Sequence, residues 1–257
     1  MLRFLKWVKV GFWTTVAITI IMIGGHISSL HQHASPNWST IISNDQITTT
    51  MKYSATASAR KSRSSAVKIE STSLKFWGGT ATSSGTYFVA AGRPYVATVH
   101  HGIQGPCWLL VVVHDDRRYE CKEYVVMDEV NDYVLMEMDS FIENRVPIQI
   151  PQDLPKGPEW QSSYSLLSRI IYTGYPNVLG PLTLRGDVVG YSREEYLYVF
   201  SHAYGGASGS GVFSENGKYI GYVVAIDVGV TEYGVDVLEN IVIVAPSYNI
   251  DWDAVLN

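Results

Sequence analysis

Cysteine is nearly absent. The 257 residues hold two, Cys107 and Cys121, which excludes a fold built on a disulfide framework. The pair flanks an expected hairpin, so a single cross-strand bridge and two small buried thiols are both open readings. A zinc site built on this pair alone has no support. Basic residues are also sparse: 19 Lys and Arg stand against 24 Asp and Glu, for a formal net charge of −5. They are scattered rather than clustered, which argues against a nucleic-acid partner. Long Ala/Leu/Glu/Lys runs of the helical kind are missing too.

What is present leans towards β structure. Tyr, Val, Gly and Thr are plentiful, and these residues fit pleated strands and the turns between them. Hydrophobic residues make up 46% of the chain, enough for a real core.

Three regions are legible. Residues 1–9 carry Arg3, Lys6 and Lys9, and from Val10 to Leu30 no formal charge occurs. That apolar span, about 21 residues, matches the thickness of a bilayer. Phe4, Trp7, Phe12 and Trp13 stand where an interfacial belt would lie, and the positive residues ahead of the run predict a cytoplasmic N-terminus with the rest translocated. Residues 1–30 are therefore read as a membrane anchor. A cleaved signal peptide, leaving a secreted protein, is the competing reading, although His31, Gln32 and His33 occupy the place of a small-residue cleavage site. Residues 31–70 are rich in Ser and Thr, with a basic knot at Arg60, Lys61 and Arg63 and a glycosylation sequon at Asn37-Trp38-Ser39. With little apolar periodicity, they are read as a flexible stalk open to proteolysis near Arg60–Arg63.

From residue 71 onward, short apolar runs alternate with Gly, Pro, Asn and Asp at roughly 10-residue spacing, as in a sandwich or barrel. Tyr87–Ala91, Tyr95–Val99, Trp108–Val113 and Tyr124–Met127 belong to a first β unit, about 71–145. His114-Asp115-Asp116-Arg117 reads as a hairpin turn. A polar connection holding Pro147, Pro151, Pro155 and Pro158 follows. Ser168–Thr173, Leu182–Tyr191, Tyr196–Phe200, Gly211–Phe213, Tyr219–Ile226 and Asn240–Val244 form a second unit, about 160–248, with an Asn216-Gly217 turn. Ile250–Leu256 is read as a short closing helix.

Three local patterns carry chemistry. Gly205-Gly206-Ala207-Ser208-Gly209-Ser210-Gly211 sets a serine among glycines just ahead of a strand. Such a loop folds tightly enough for its N–H groups to converge beside the hydroxyl. Tyr95-Val96-Ala97-Thr98-Val99-His100-His101 ends a strand in two histidines, and a histidine there can act as a general base. Asn131-Asp132-Tyr133-Val134 opens an apolar strand with a carboxylate whose burial calls for a partner such as an imidazole. Each pattern alone has a bland reading: a flexible turn, a solvated histidine, a turn residue before a strand.

Their order, His101 then Asp132 then Ser208, resembles the trypsin-like serine proteases. In those, a Tyr-Val-x-Thr strand is followed after two residues by the catalytic histidine, an Asp-x-x-Leu strand follows, and a Gly-x-Ser-Gly loop comes last. Gly174-Tyr175-Pro176, Leu182–Val189 and Ile243-Val244-Ala245-Pro246-Ser247 are similar to segments of the HtrA-like branch and its viral relatives. The resemblance covers about residues 72–257. It departs from HtrA proteins in leaving no residues for a PDZ domain. It also has Gly102 after the histidine, Ala207 before the serine, and Gly211 where proline is frequent.

The resemblance implies an all-β protein of two six-stranded antiparallel barrels, and a triad of His101, Asp132 and Ser208 with Gly206 and Ser208 N–H groups as the oxyanion hole. It also implies a pocket with His202 at its floor and Val223, Val224 and Ala225 along its wall. The family's chemistry needs no metal or cofactor, and its substrates are proteins or peptides. With no acidic floor, the pocket is expected to take a small or medium apolar side chain; a polar or acidic one drawn by His202 is the second choice. A compact protease behind an anchor suits polyprotein processing or a bacterial envelope. The other readings are a trypsin-like fold kept as a binding module and a membrane scaffold. An α/β-hydrolase is disfavoured by the reversed residue order and by Ser210 two places after Ser208.

Overall fold

The computed structural model describes residues 57–75, 78–151, 155–176, 179–193, 195–231 and 234–256, with backbone alone over 225–239. The expected anchor, 1–30, and the first part of the expected stalk, 31–56, lie outside them. Among the described residues no helix is long and apolar enough to cross a membrane.

Twelve strands form two closed antiparallel barrels. The first holds β1 (Ala66–Thr72), β2 (Thr80–Ala90), β3 (Arg93–Thr98), β4 (Leu110–His114), β5 (Arg117–Asp128) and β6 (Tyr133–Met138), in the order β1-β2-β3-β6-β5-β4. The second holds β7 (Arg169–Gly174), β8 (Leu182–Tyr191), β9 (Leu197–Phe200), β10 (Gly211–Ser214), β11 (Tyr219–Thr231) and β12 (Gly234–Pro246). Its order, β7-β8-β9-β12-β11-β10, repeats that of the first. The β4–β5 turn places Asp115 and Asp116 at φ 47° and 60°. Two consecutive positive angles belong to a primed hairpin turn, whose twist matches its strands.

Two differences from the sequence reading concern the N-terminal side. Residues 57–70 are not stalk. Ala57–Ser65 form a helix, α1, that buries Ser58, Ser62 and Ser65 on one face. Ser58 Oγ donates to the Ser214 carbonyl at 2.8 Å, Ser62 Oγ to Thr173 Oγ1 at 2.8 Å, and Lys61 Nζ to the Gly217 carbonyl at 2.9 Å. The basic knot is thus fastened to the second barrel. Strand β1 then alternates buried Val67 and Ile69 with half-buried Lys68 and Glu70, which pair with each other at 2.6 Å. Trp108, expected in a strand, lies instead in a 3-10 turn, Cys107–Leu109, and is 70% exposed.

Each barrel encloses its own apolar core. A third cluster lies between them and draws on both: Phe88, Tyr95, Val99 and Tyr133 from the first, Phe213, Tyr219 and Tyr222 from the second. The C-terminal segment closes it with Ile250, Trp252 and Val255, the last in a short helix, α3 (Asp253–Leu256), which follows α2 (Pro158–Ser162) of the connection. The Trp252 ring meets Phe88 edge-on at 5.1 Å and Tyr219 at 6.2 Å. Such edge-to-face pairs add to plain burial.

Candidate active site

Chain geometry puts the three expected residues on the seam between the barrels. His101 lies in a 3-10 turn, His100–Gly102, directly after β3. Asp132 lies just ahead of β6, which pairs with β3 from Thr98↔Val134 to Tyr95↔Glu137. Adjacent strands therefore bring histidine and aspartate together. Asp132 Oδ2 is 2.7 Å from His101 Nδ1, and Oδ1 accepts from the His101 backbone N–H at 2.9 Å. One carboxylate thus fixes both the ring and the main chain of the histidine. With Nδ1–H directed at the carboxylate, Nε2 is left as the basic nitrogen. The side chains are 51% and 20% exposed, the aspartate being the more enclosed.

Asp132 has φ 53°, a left-handed conformation that aspartate tolerates better than most side chains. Its turn is braced on two sides. Asp128 Oδ1 accepts from the N–H groups of Val130 and Asn131, both at 2.9 Å, and Oδ2 accepts from Asn131 Nδ2 at 2.7 Å. These bonds, the Asn131 side chain foremost, hold the Asp128 carboxyl below its ordinary range. From the second barrel, Tyr222 Oη donates to the Asn131 carbonyl at 2.6 Å. Burial pushes the Tyr222 phenol up, with the nearby Asp132 charge acting in the same direction, so it stays a donor.

Ser208 stands in the loop between β9 and β10. Gly206 has φ 98° and Gly209 φ 86°, backbone angles that glycine adopts freely and L-residues resist. A Cβ on Gly209 would also stand 2.0 Å from the Ser84 carbonyl oxygen. The loop is locked by Ala207 N–H to Tyr204 O at 2.9 Å, Ser210 N–H to Ala207 O at 3.1 Å and Gly209 N–H to Val223 O at 2.7 Å. Among the described residues, neither the Gly206 nor the Ser208 N–H donates to another protein group. No hydrogen bond joins Ser208 Oγ to the His101 ring among them.

The expected pocket residues are dispersed in character. His202 is exposed, and its carbonyl accepts a hydrogen bond from the buried Tyr172 hydroxyl. Val223 turns its side chain into the second barrel's core, a cluster that also holds Ala207, and its backbone bonds to Gly209 and Ser210 of the serine loop. Val224 is half-buried against the inter-barrel cluster. The Ala225 side chain lies outside the described ones; its backbone pairs with Ile243. Cys107 and Cys121 are bridged, which decides between the two readings left open. The bridge ties the loop that follows His101 to β5.

Ser84, Asp128, Asn131 and Tyr222 were not legible as parts of this site. Asp128 and Asn131 carry a local signal, an Asp three residues ahead of an Asn in a turn. Ser84 and Tyr222 carry none, since their partners are remote in sequence.

No family model matches the sequence, and no curated relative matches it. Solved structures do match. The serine endoprotease from Yersinia pestis aligns at TM-score 0.55 and 19% identity over 75% of this chain and 62% of that one. The chain thus spans about three-fifths of the Yersinia structure. The active form of the Rv3671c protease from M. tuberculosis aligns at 0.54 and 15% identity, covering 74% and 79%. The HtrA-type protease AlgW with tripeptide aligns at 0.55 and 16% identity, covering 75% and 60%. At these identities the likeness concerns the fold: the chain has the two-barrel, trypsin-like fold that these serine proteases share.

Proposed function

We propose that this chain is a serine endopeptidase with His101, Asp132 and Ser208 as its triad. The observation that carries the reading is the two-point grip of Asp132 on His101, at the seam where the glycine loop presents Ser208. That grip does what the acid of a triad must do: it fixes the tautomer and orients the ring.

In the proposed reaction His101 Nε2 takes the proton of Ser208 Oγ as that oxygen bonds to the peptide carbonyl carbon. The carbonyl oxygen becomes an oxyanion and accepts from the Gly206 and Ser208 N–H groups, which have no competing acceptor within the described protein. Collapse breaks the C–N bond, and the imidazolium gives its proton to the leaving amine. Water then adds to the acyl-enzyme by the same route, with its proton passing through His101, and releases the acid and Ser208. The long or absent Ser–His hydrogen bond is common in sites without substrate and tightens on binding.

A serine-directed fluorophosphonate tests this. Labelling confined to Ser208 in the full chain, lost in Ser208→Ala along with peptide hydrolysis, is the expected result. A folded protein that resists labelling would favour the second reading, a binding module on a protease fold. Protein or peptide substrates, a small or medium apolar residue at the cleavage position and a role in processing polyprotein or envelope proteins belong to the same proposal. So does anchoring through residues 1–30, with the barrels on the far side of the membrane. The N-terminal sequence of the membrane-extracted protein decides between anchor and cleaved leader.

A further inference from the structure

One residue of the first barrel is hydrogen-bonded to two residues of the serine loop, Gly206 and Ser208. Ser84, on β2, is fully buried and uses all its polar groups. Its backbone N–H donates to the Ser208 carbonyl at 2.8 Å. Its hydroxyl donates to the Gly206 carbonyl at 2.7 Å and accepts from the Tyr175 N–H at 2.9 Å. Its own carbonyl accepts from Thr98 Oγ1 at 2.7 Å, and Thr98 is three residues ahead of His101 on β3.

Neither the Gly206 nor the Ser208 N–H has a protein acceptor among the described residues. Ser84 therefore holds each of these residues by its carbonyl. The Ser208 half of this arrangement is main chain on both sides and would survive most substitutions. The Gly206 half rests on one side chain: the peptide that follows Gly206 is held at its carbonyl by the Ser84 hydroxyl and at its other end by Ala207 N–H to the Tyr204 carbonyl at 2.9 Å. Gly206 sits at φ 98°, where no side chain of its own limits rotation, so these two bonds set the plane from which its preceding N–H is directed.

We propose that Ser84 is a positioning residue for the oxyanion hole: from the first barrel its hydroxyl anchors the carbonyl of the peptide that follows Gly206, and through the Gly206 φ and ψ angles this directs the preceding N–H at the developing oxyanion. The inference rests on the serine-peptidase reading above. Removing the hydroxyl leaves the Gly206 carbonyl and the Tyr175 N–H without their partner. The loop relaxes at Gly206, while Ser208 and the His101–Asp132 pair keep their own bonds. A lost oxyanion donor typically costs about 10²–10³ in rate, and a misdirected one less, about 10–10²-fold.

The test compares wild type and Ser84→Ala in the full chain by two readouts. The first is kcat and KM on one peptide substrate. The second is the rate of fluorophosphonate labelling, since the phosphoryl oxygen of the probe takes the oxyanion position. Ser84→Ala is expected to lower kcat and the labelling rate by a similar factor of about 10–10², with KM within about twofold and the acidic limb of the pH–rate profile unmoved, because His101 and Asp132 are untouched. Wild-type labelling with wild-type kcat in folded Ser84→Ala overturns the proposal, as does a loss confined to KM. Should that variant not fold, Ser84→Cys keeps the side chain's place and substitutes a weak donor. Slowed labelling of folded Ser84→Cys supports the role, and labelling at the wild-type rate overturns it. Absence of labelling in the wild type would instead sink the peptidase reading itself, so the two failures are distinguishable.

Discussion

At the scale of single residues, the two adjacent histidines provide the sharpest division. His101 is gripped twice by Asp132. His100 precedes it in the same 3-10 turn, and its carbonyl serves the turn by accepting from the Ile103 N–H at 2.9 Å. Neighbours in a chain point different ways, so only one ring can address Ser208. His101→Ala is expected to remove nearly all turnover, because the proton transfer has no substitute. His100→Ala is expected to cost about tenfold or less, through local packing. kcat/KM for both variants on one peptide reads this directly. Near-normal activity for His101→Ala with a severe loss for His100→Ala would shift the triad by one residue.

At the scale of elements, the segment after β12 has an importance out of proportion to its length. Trp252 is nearly buried among Phe88, Tyr219 and their neighbours, and its indole N–H donates to the Ser247 carbonyl at 2.8 Å. It belongs to neither barrel and fills the space between them. Trp252→Ala is expected to cost about 3–5 kcal/mol in urea unfolding, the range for losing a large buried aromatic. A loss below about 1 kcal/mol would mean that the barrels dock without it. Most elements were legible in advance because their residues alternate or cluster by hydrophobicity: β8, Leu182–Tyr191, matches its sequence-based bounds, and the Asp115-Asp116 and Asn216-Gly217 turns sit where their residue types place them. The elements that were missed have buried faces of another kind. Helix α1 packs a stripe of serines, so a search for apolar periodicity passes over it. Strand β1 does alternate, Val67 and Ile69 against Lys68 and Glu70, but it is short and stands beside a Ser-rich stretch whose composition reads as linker. In the candidate site, the triad positions came from local pattern and family likeness. The residues that hold it, Ser84 and Tyr222, act across the barrel seam, and no local pattern encodes a contact between strands so far apart in sequence.

At the scale of the whole molecule, a buried polar knot joins pieces of chain that are far apart in sequence. His114, at the end of β4, is buried. Its Nδ1 accepts from Arg145 Nη2 at 2.8 Å, and its Nε2 is 3.0 Å from Asp115. Arg145, from the connection between the barrels, also donates to the Arg63 carbonyl of α1 at 2.5 Å, and Arg63 donates to the Pro181 carbonyl of the second barrel at 2.5 Å. Burial, then the Arg145 charge, lowers the His114 pKa to about 4 against the opposing pull of Asp115. In the unfolded chain it titrates near its ordinary value of about 6.5. A histidine held neutral in the fold takes up its proton in the unfolded state first. Its contribution is therefore complete above about pH 6.5 and is lost as pH falls towards 4, by up to about 3 kcal/mol. His114→Gln is expected to flatten the fall in stability between pH 7 and pH 4.5. Equal slopes for wild type and variant in urea titrations at those two pH values would remove His114 from the account.

The seam between the barrels also imposes an order of events during synthesis. His101 and Asp132 leave the ribosome with the first barrel, and small domains fold as they emerge. Ser208 follows, yet the cluster that clamps one barrel on the other is closed by Ile250, Trp252 and Val255. A nascent chain that stops short of residue 250 carries all three groups of the proposed triad and lacks the residues that complete the cluster between the barrels. Under the proposed function, making the groups and aligning them are thus two separate events, set apart by the stretch of chain between Ser208 and Val255.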